Sequence, residues 1–160
     1  VTPDSRYYWN GEFTVDTSGS EVVGTYASTP RDVDTLKANM LEKARTAVAS
    51  RLADIDWYWS RAAKGGTAVS SEIQNYATAL YSEHETIKTA INAISDLAGV
   101  MAYENKPHTE TRKVKNTAED GTETYGPATT TATREIDMCT HFTANPTDEV
   151  DPAFVSLVAD

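Results

Sequence analysis

Two long stretches without proline or glycine dominate the chain, residues 31–64 and 69–98, separated by Lys64-Gly65-Gly66-Thr67. In the first, apolar residues fall at Val33, Leu36, Met40, Leu41, Ala44, Val48, Leu52, Ile55 and Trp59. Those gaps, mostly three and four, are the period of a helix with one buried stripe. In the second, Ile73, Ala77, Leu80, His84, Ile87, Ile91, Ile94, Ala98 and Met101 are spaced alternately four and three apart, which predicts a heptad seam. A helix of about 30 residues is a rod of roughly 45 Å, and a short Gly-rich turn folds two such rods antiparallel. Thr29-Pro30 is expected to start the first helix, because proline is tolerated at the first helical position, with Asp32 and Asp34 at the positive end of its dipole. Ser70 or Ser71 caps the second, with Glu72 beside it. The seam is filled either by the first helix or by copies of itself, and isoleucine at successive core positions favours three or more strands.

Outside the rods the period shortens. Arg6-Tyr7-Tyr8-Trp9 and Glu12-Phe13-Thr14-Val15 flank Asn10-Gly11, a dipeptide that accepts positive φ at both turn positions. This predicts a small β-hairpin over residues 6–15. A lone two-stranded hairpin is marginal in water, so its aromatics need the rod or another chain beneath them. Residues 16–29, polar and rich in Gly and Ser, read as a loop or extended arm. Asn105-Lys106-Pro107 ends the second helix, and the Thr-rich stretch 109–133 alternates on either side of a turn at Asp120-Gly121. A further strand is expected over residues 135–142, with Ile136, Met138, Thr140 and Phe142 on one face. Residues 151–158 form a short apolar tail suited to docking on a partner. The fold class read from this is α+β. A long antiparallel α-helical hairpin (30–103) lies between a small N-terminal β-hairpin with a polar arm (1–29) and a C-terminal β-rich arm (104–160).

At 160 residues the chain is one domain with arms, and an elongated hairpin gives it a thin core. A formal charge of −10 argues against binding a nucleic-acid backbone or an anionic membrane surface. No apolar run approaches the ~18 residues that span a bilayer, and no signal peptide opens the chain. The single cysteine, Cys139, leaves no internal disulfide framework and fits either a reducing cytoplasm or a fold that does not need bridges.

Candidate chemistry is sparse. Cys139, His141, His84 and His108 match no zinc-ligand spacing, so no metal and no cofactor are expected. His84 sits on the seam, either as a polar, pH-sensitive layer or as an edge residue bonded to Glu85. Asp54 and Asp56, and Glu83 and Glu85, are two apart and point to different sides of a helix; they read as a solvated face. There is no Ser/His/Asp arrangement, no G-x-G-x-x-G and no P-loop, so no catalytic residue is assigned. Trp57-Tyr58-Trp59 covers most of a helix circumference, more than one neighbouring helix buries. These rings pack either on the N-terminal hairpin or on another subunit.

The stretch from Arg51 to Gly66, with Leu52-Ala53-Asp54-Ile55-Asp56-Trp57-Tyr58 at its centre, resembles the L-A-x-T-D-W-Y-x-x-R-x-x-E-x-G signature of bacteriophage tail assembly and tail-fibre assembly proteins. The likeness continues through Ile73 and Tyr76, Glu83, Ile87 and Ile91-Asn92-Ala93, and more loosely through Tyr8-Trp9-Asn10-Gly11-Glu12-Phe13. Ser70 and Ala77 stand where that family carries proline and arginine, and residues 104–160 lie outside the likeness. The resemblance implies a tail or tail-fibre protein without catalysis, whose partners are other phage tail or fibre proteins, with no nucleic acid and no membrane. It places the protein in the virion tail after assembly in the host cytoplasm, as a retained subunit or as a transient assembly chaperone. A homo-oligomer is the expected state, with a trimer among the states the seam allows. The interface candidates are Tyr7, Tyr8, Trp9, Trp57, Tyr58, Trp59, Phe154 and Leu157. A small ligand-binding enzyme and an acidic antagonist of host factors are the rival classes.

Overall fold

A computed structural model describes residues 3–149 and 151–159, the side chains of 156–159 excepted. The element order is β1 (Tyr8–Asp16), β2 (Val23–Pro30), α1 (Val33–Ala63), α2 (Ser71–Ala93), α3 (Leu97–Glu104), β3 (Lys106–Thr117), β4 (Glu123–Ile136) and β5 (Phe154–Ala159). Among the described residues these make three helices and two small antiparallel sheets, β1-β2 and β4-β3-β5. The class is mixed helix and strand.

The two long helices share one apolar core. Leu36, Met40, Ala44, Val48 and Ile55 of α1 are buried in one cluster with Ile73, Tyr76, Ala77, Leu80, Ile87 and Ile91 of α2. The chain directions oppose, since Lys37 near the start of α1 donates to the carbonyl oxygens of Asn92 (3.0 Å) and Ile94 (2.7 Å) at the end of α2. The isoleucine seam is therefore covered within the chain, which removes the seam as grounds for a trimer. His84 is only partly buried and lies 3.9 Å from Glu85, at the edge of the contact.

Helix boundaries follow the caps. The start of α1 is Val33 rather than Pro30, because the Asp32 carboxylate accepts from Thr35 N (2.8 Å) and its hydroxyl (2.7 Å). Pro30 instead closes β2 opposite Tyr8. The helix ends in a Schellman turn: Gly65 N donates to Ala62 O, Gly66 N donates to Arg61 O, and Gly65 takes φ +83°. Ser70 caps α2. The expected continuous second helix is interrupted after Ala93: Ile94 is extended, and Asp96 opens α3 by accepting from Gly99 N at 2.8 Å. The heptad pattern fails there, for Val100 is buried and Ala98 is exposed.

Both sheets also correct the sequence reading. Asn10-Gly11 is not the hairpin turn. Gly11 lacks positive φ, β1 runs straight through it, and a register shift between Asn10 and Phe13 takes up the irregularity. The reversal lies at residues 17–22, opened by Ser18 N donating to the Asp16 carboxylate at 2.9 Å, so the stretch read as a loop contains β2. At the other end, β3 and β4 reverse where expected, with Gly121 at φ +83°. The strand expected over 135–142 stops at Ile136. Asp137 turns the chain by accepting from Cys139 N with its carboxylate (2.9 Å) and from Thr140 N with its carbonyl (3.2 Å). Ile136, Cys139 and Phe142 are then the buried residues, three apart as in a turn, and not two. The apolar tail, expected to dock on a partner, pairs as β5 with β3 of its own chain.

Ile91 is fully buried, so Ile91→Ala should cost about 2–5 kcal/mol in urea unfolding. Gly65→Ala, which forces a side chain to positive φ in open space, should cost only about 1 kcal/mol. A larger loss at Gly65 than at Ile91 would contradict this account of what holds the helices together.

Candidate functional site

The N-terminal ribbon β1-β2 has little core of its own. Trp9, Phe13, Val15, Val22, Val23 and Tyr26 are exposed, Trp9 at 61%. What order it has is local. The Arg31 guanidinium lies 3.8 Å from the Trp9 ring centroid, and the Phe13 and Tyr26 rings sit 4.8 Å apart across the strands. The edge of the Phe13 ring also abuts Gly24, where any Cβ would come within 2.6 Å of it. Of the interface candidates here, Trp9 is at the surface and Tyr8 is partly buried against the core. Tyr7 is not at the surface: it is 1% exposed, and its hydroxyl accepts from Asn105 Nδ2 at 2.9 Å. The side chains missed by pattern reading, Phe13 and Tyr26 above all, become visible only once β2 is known to exist.

A second exposed group sits at the other end of α1. Trp57 and Trp59 are 49% and 38% exposed, while Tyr58 packs partly on the core. Arg61 covers this turn, its guanidinium 4.7 Å from the Trp57 centroid and 5.7 Å from Tyr58. The ribbon is rooted at Tyr7 and Arg31, about 36 Å of helix away, so the N-terminal hairpin does not cover these rings. Between the helices here, Leu52, Ile55, Asp56, Trp59, Ala77 and Tyr81 line a cleft of about 270 Å³.

At the C-terminal strands, Phe154 is 41% exposed beneath Arg112, which Asp151 holds at 2.5 Å. Leu157 lies on β5 opposite Glu110; its side chain is outside the described residues. Buried Glu110 pairs with both Arg112 and Arg134.

The titratable clusters are structural in their chemistry. Lys43 donates to Glu104 (2.7 Å) and Asp137 (2.8 Å). Burial opposes its charge, but the bonds from Asp137 and Glu104 outweigh that and raise its pKa. Donor atoms of Glu104, Asp137 and Cys139 lie within 4.8 Å of one another, yet the lysine ammonium already fills the space between the carboxylates. Burial, then the Asp137 charge, pushes the Cys139 thiol up to about 12, so it is protonated and a poor nucleophile. Asp54 and Asp56 are exposed. Glu83 is engaged instead by Thr143, through its N–H at 2.9 Å and through its hydroxyl. His108 is buried, with neither ring nitrogen bonded among the described residues, and its ring lies 5.7 Å from that of His141.

Comparison of the chain with protein-family models, with curated proteins and with solved structures finds no match.

Partial burial, then His108, lowers the His141 pKa; Glu83 from α2 opposes this, while Arg134 and Arg51 add to it. The folded state thus holds the proton less well than the unfolded chain, which titrates near 6.5. The stability this contributes is complete above that pH and is lost as pH falls from it through the lower folded-state value. Melting temperature should drop from pH 7.5 to 5.5, and His141→Gln should shrink the drop. An unchanged drop in the variant would assign it to the carboxylates.

Proposed function

We propose that the protein is a non-enzymatic part of a bacteriophage tail or tail fibre, acting through protein–protein contacts and retained in the virion after assembly in the host cytoplasm. In this reading the antiparallel helical hairpin is the rigid member and the flanking strands are its arms. The observation that carries it is the condition of the two ribbons. β1-β2 leaves its aromatic and branched residues in solvent, and no residue from 112 to 135 in the β3-β4 ribbon is buried. Two-stranded ribbons without a packed face are marginal alone, and large exposed apolar residues gathered on one element mark a contact surface. Other chains, including further copies of this one, are what such ribbons are suited to pack on. The tail assignment itself rests on the resemblance carried by Asp56-Trp57-Tyr58 and the residues around it.

Quantitative mass spectrometry of purified particles of the source phage tests this. A fixed small ratio to a known tail subunit is expected. Presence in the infected lysate with absence from particles would replace the subunit by an assembly chaperone. For the free protein, trypsin should cut first in the β3-β4 ribbon, at Arg112, Lys113 or Lys115, and the assembled protein should be protected there. Ribbons that resist trypsin at monomer mass would remove the contact reading.

A further inference from the structure

The cleft at the turn end of the two long helices has a composition that selects its occupant. Its floor is apolar, with Ile55 1% and Ala77 9% exposed. Two large rings border it, Trp59 from α1 and Tyr81 from α2, at 38% and 61% exposure. Asp56, one helical turn before Trp59, is exposed and has no hydrogen-bond or ion-pair partner among the described residues. An anion is repelled here, and a plain aliphatic side chain leaves the carboxylate unanswered. A flat cation with apolar faces satisfies both parts, since a guanidinium stacks on aromatic rings and pairs with a carboxylate along its edge. The same turn already shows half of this pairing, in Arg61 over Trp57 and Tyr58.

The arginine has to come from elsewhere. Every arginine of this chain is engaged within it: Arg6 with Asp4, Arg31 over Trp9, Arg45 with Glu42, Arg51 with Thr140, Arg61 over Trp57, and Arg112 and Arg134 with Glu110. Copies of a chain with net charge −10 also repel one another through the segments that flank the long helices. We infer that this cleft is a docking pocket for an arginine side chain presented by a different, basic partner protein. The inference rests on the contact role proposed above and adds the partner's chemistry to it.

The test is a titration of the full-length ¹⁵N-labelled protein followed at its three tryptophan indole signals, assigned by Trp→Phe variants. The probe is acetyl-Gly-Arg-Gly-amide, with the lysine peptide and the neutral citrulline peptide as controls. A saturable shift of the Trp59 signal is expected with arginine, a weaker one with lysine and none with citrulline. Asp56→Asn should weaken the arginine response by roughly two- to fivefold, the size of an exposed charge contact, and Tyr81→Ala should weaken it too. Both changes are at exposed positions and should leave the far-ultraviolet circular dichroism unaltered. An equal response to citrulline, or an undiminished one in Asp56→Asn, would overturn the inference. So would a Trp59 shift that depends on protein concentration without peptide, which would make a second copy the occupant. Incorporation into particles separates the two claims. Normal incorporation of Asp56→Asn with no arginine response in the unaltered chain overturns the pocket and leaves the tail role. A normal arginine response with no copies in particles or assembly intermediates removes the tail role and leaves the pocket.

Discussion

The contact between the apolar stripe of α1 and the isoleucine face of α2 sets where every other segment can sit. Burying residues such as Met40, Ile55, Leu80 and Ile91 supplies the stabilisation, at about 1.5–3 kcal/mol for each large side chain. The segment after β4 is laid across both helices by polar ties, Lys43 to Asp137, Arg51 to Thr140 and Glu83 to Thr143. Exposed ties of this kind contribute ~1 kcal/mol or less each. They fix position, whereas Cys139 and Phe142, buried in the same cluster, provide the adhesion. Away from that cluster nothing comparable exists among the described residues, which is why the ribbons have order without a core.

Charge follows the same division. Between residues 33 and 93 acidic and basic side chains balance, so the formal charge of −10 falls entirely on the segments before and after the long helices. The helical pair folds without self-repulsion. The flanking segments repel their counterparts on other copies over about 8 Å at physiological salt, so packing them against one another requires either counter-charge or close apolar contact. The exposed rings on β1 and β2 offer the second.

The helices were legible because a period of three and four repeated over many turns outweighs most local signals, and the Gly65 and Gly121 reversals because positive φ selects glycine. The failures share a cause: a short local signal lost to a competing partner. Asn10-Gly11 stayed extended because pairing with β2 extends to Tyr8 opposite Pro30. The second helix broke because Asp96 offered a cap and Lys37 took the freed carbonyls. The strand after Ile136 was lost to the side chain of Asp137. Tyr7 and Trp9 have the same aromatic character, yet Tyr7 lies in the core with its hydroxyl on Asn105 while Trp9 stays at the surface under Arg31. The cleft was half legible: Asp56 and Trp59 stood in the conspicuous stretch, but the pairing with Tyr81 depends on the register of the two helices, which periodicity alone leaves free.

Asn105 joins the roots of both ribbons. Its side chain donates to the Tyr7 hydroxyl and to Met101 O, and its own oxygen accepts from Arg6 at 3.3 Å. One strand pair leaves the body just after Tyr7 and the other just after Asn105, so the two levers share a fulcrum. Both ribbons also run directly into helices, β2 into α1 and α3 into β3, so the Asn105 amide is a side link between two arms that the helices already hold.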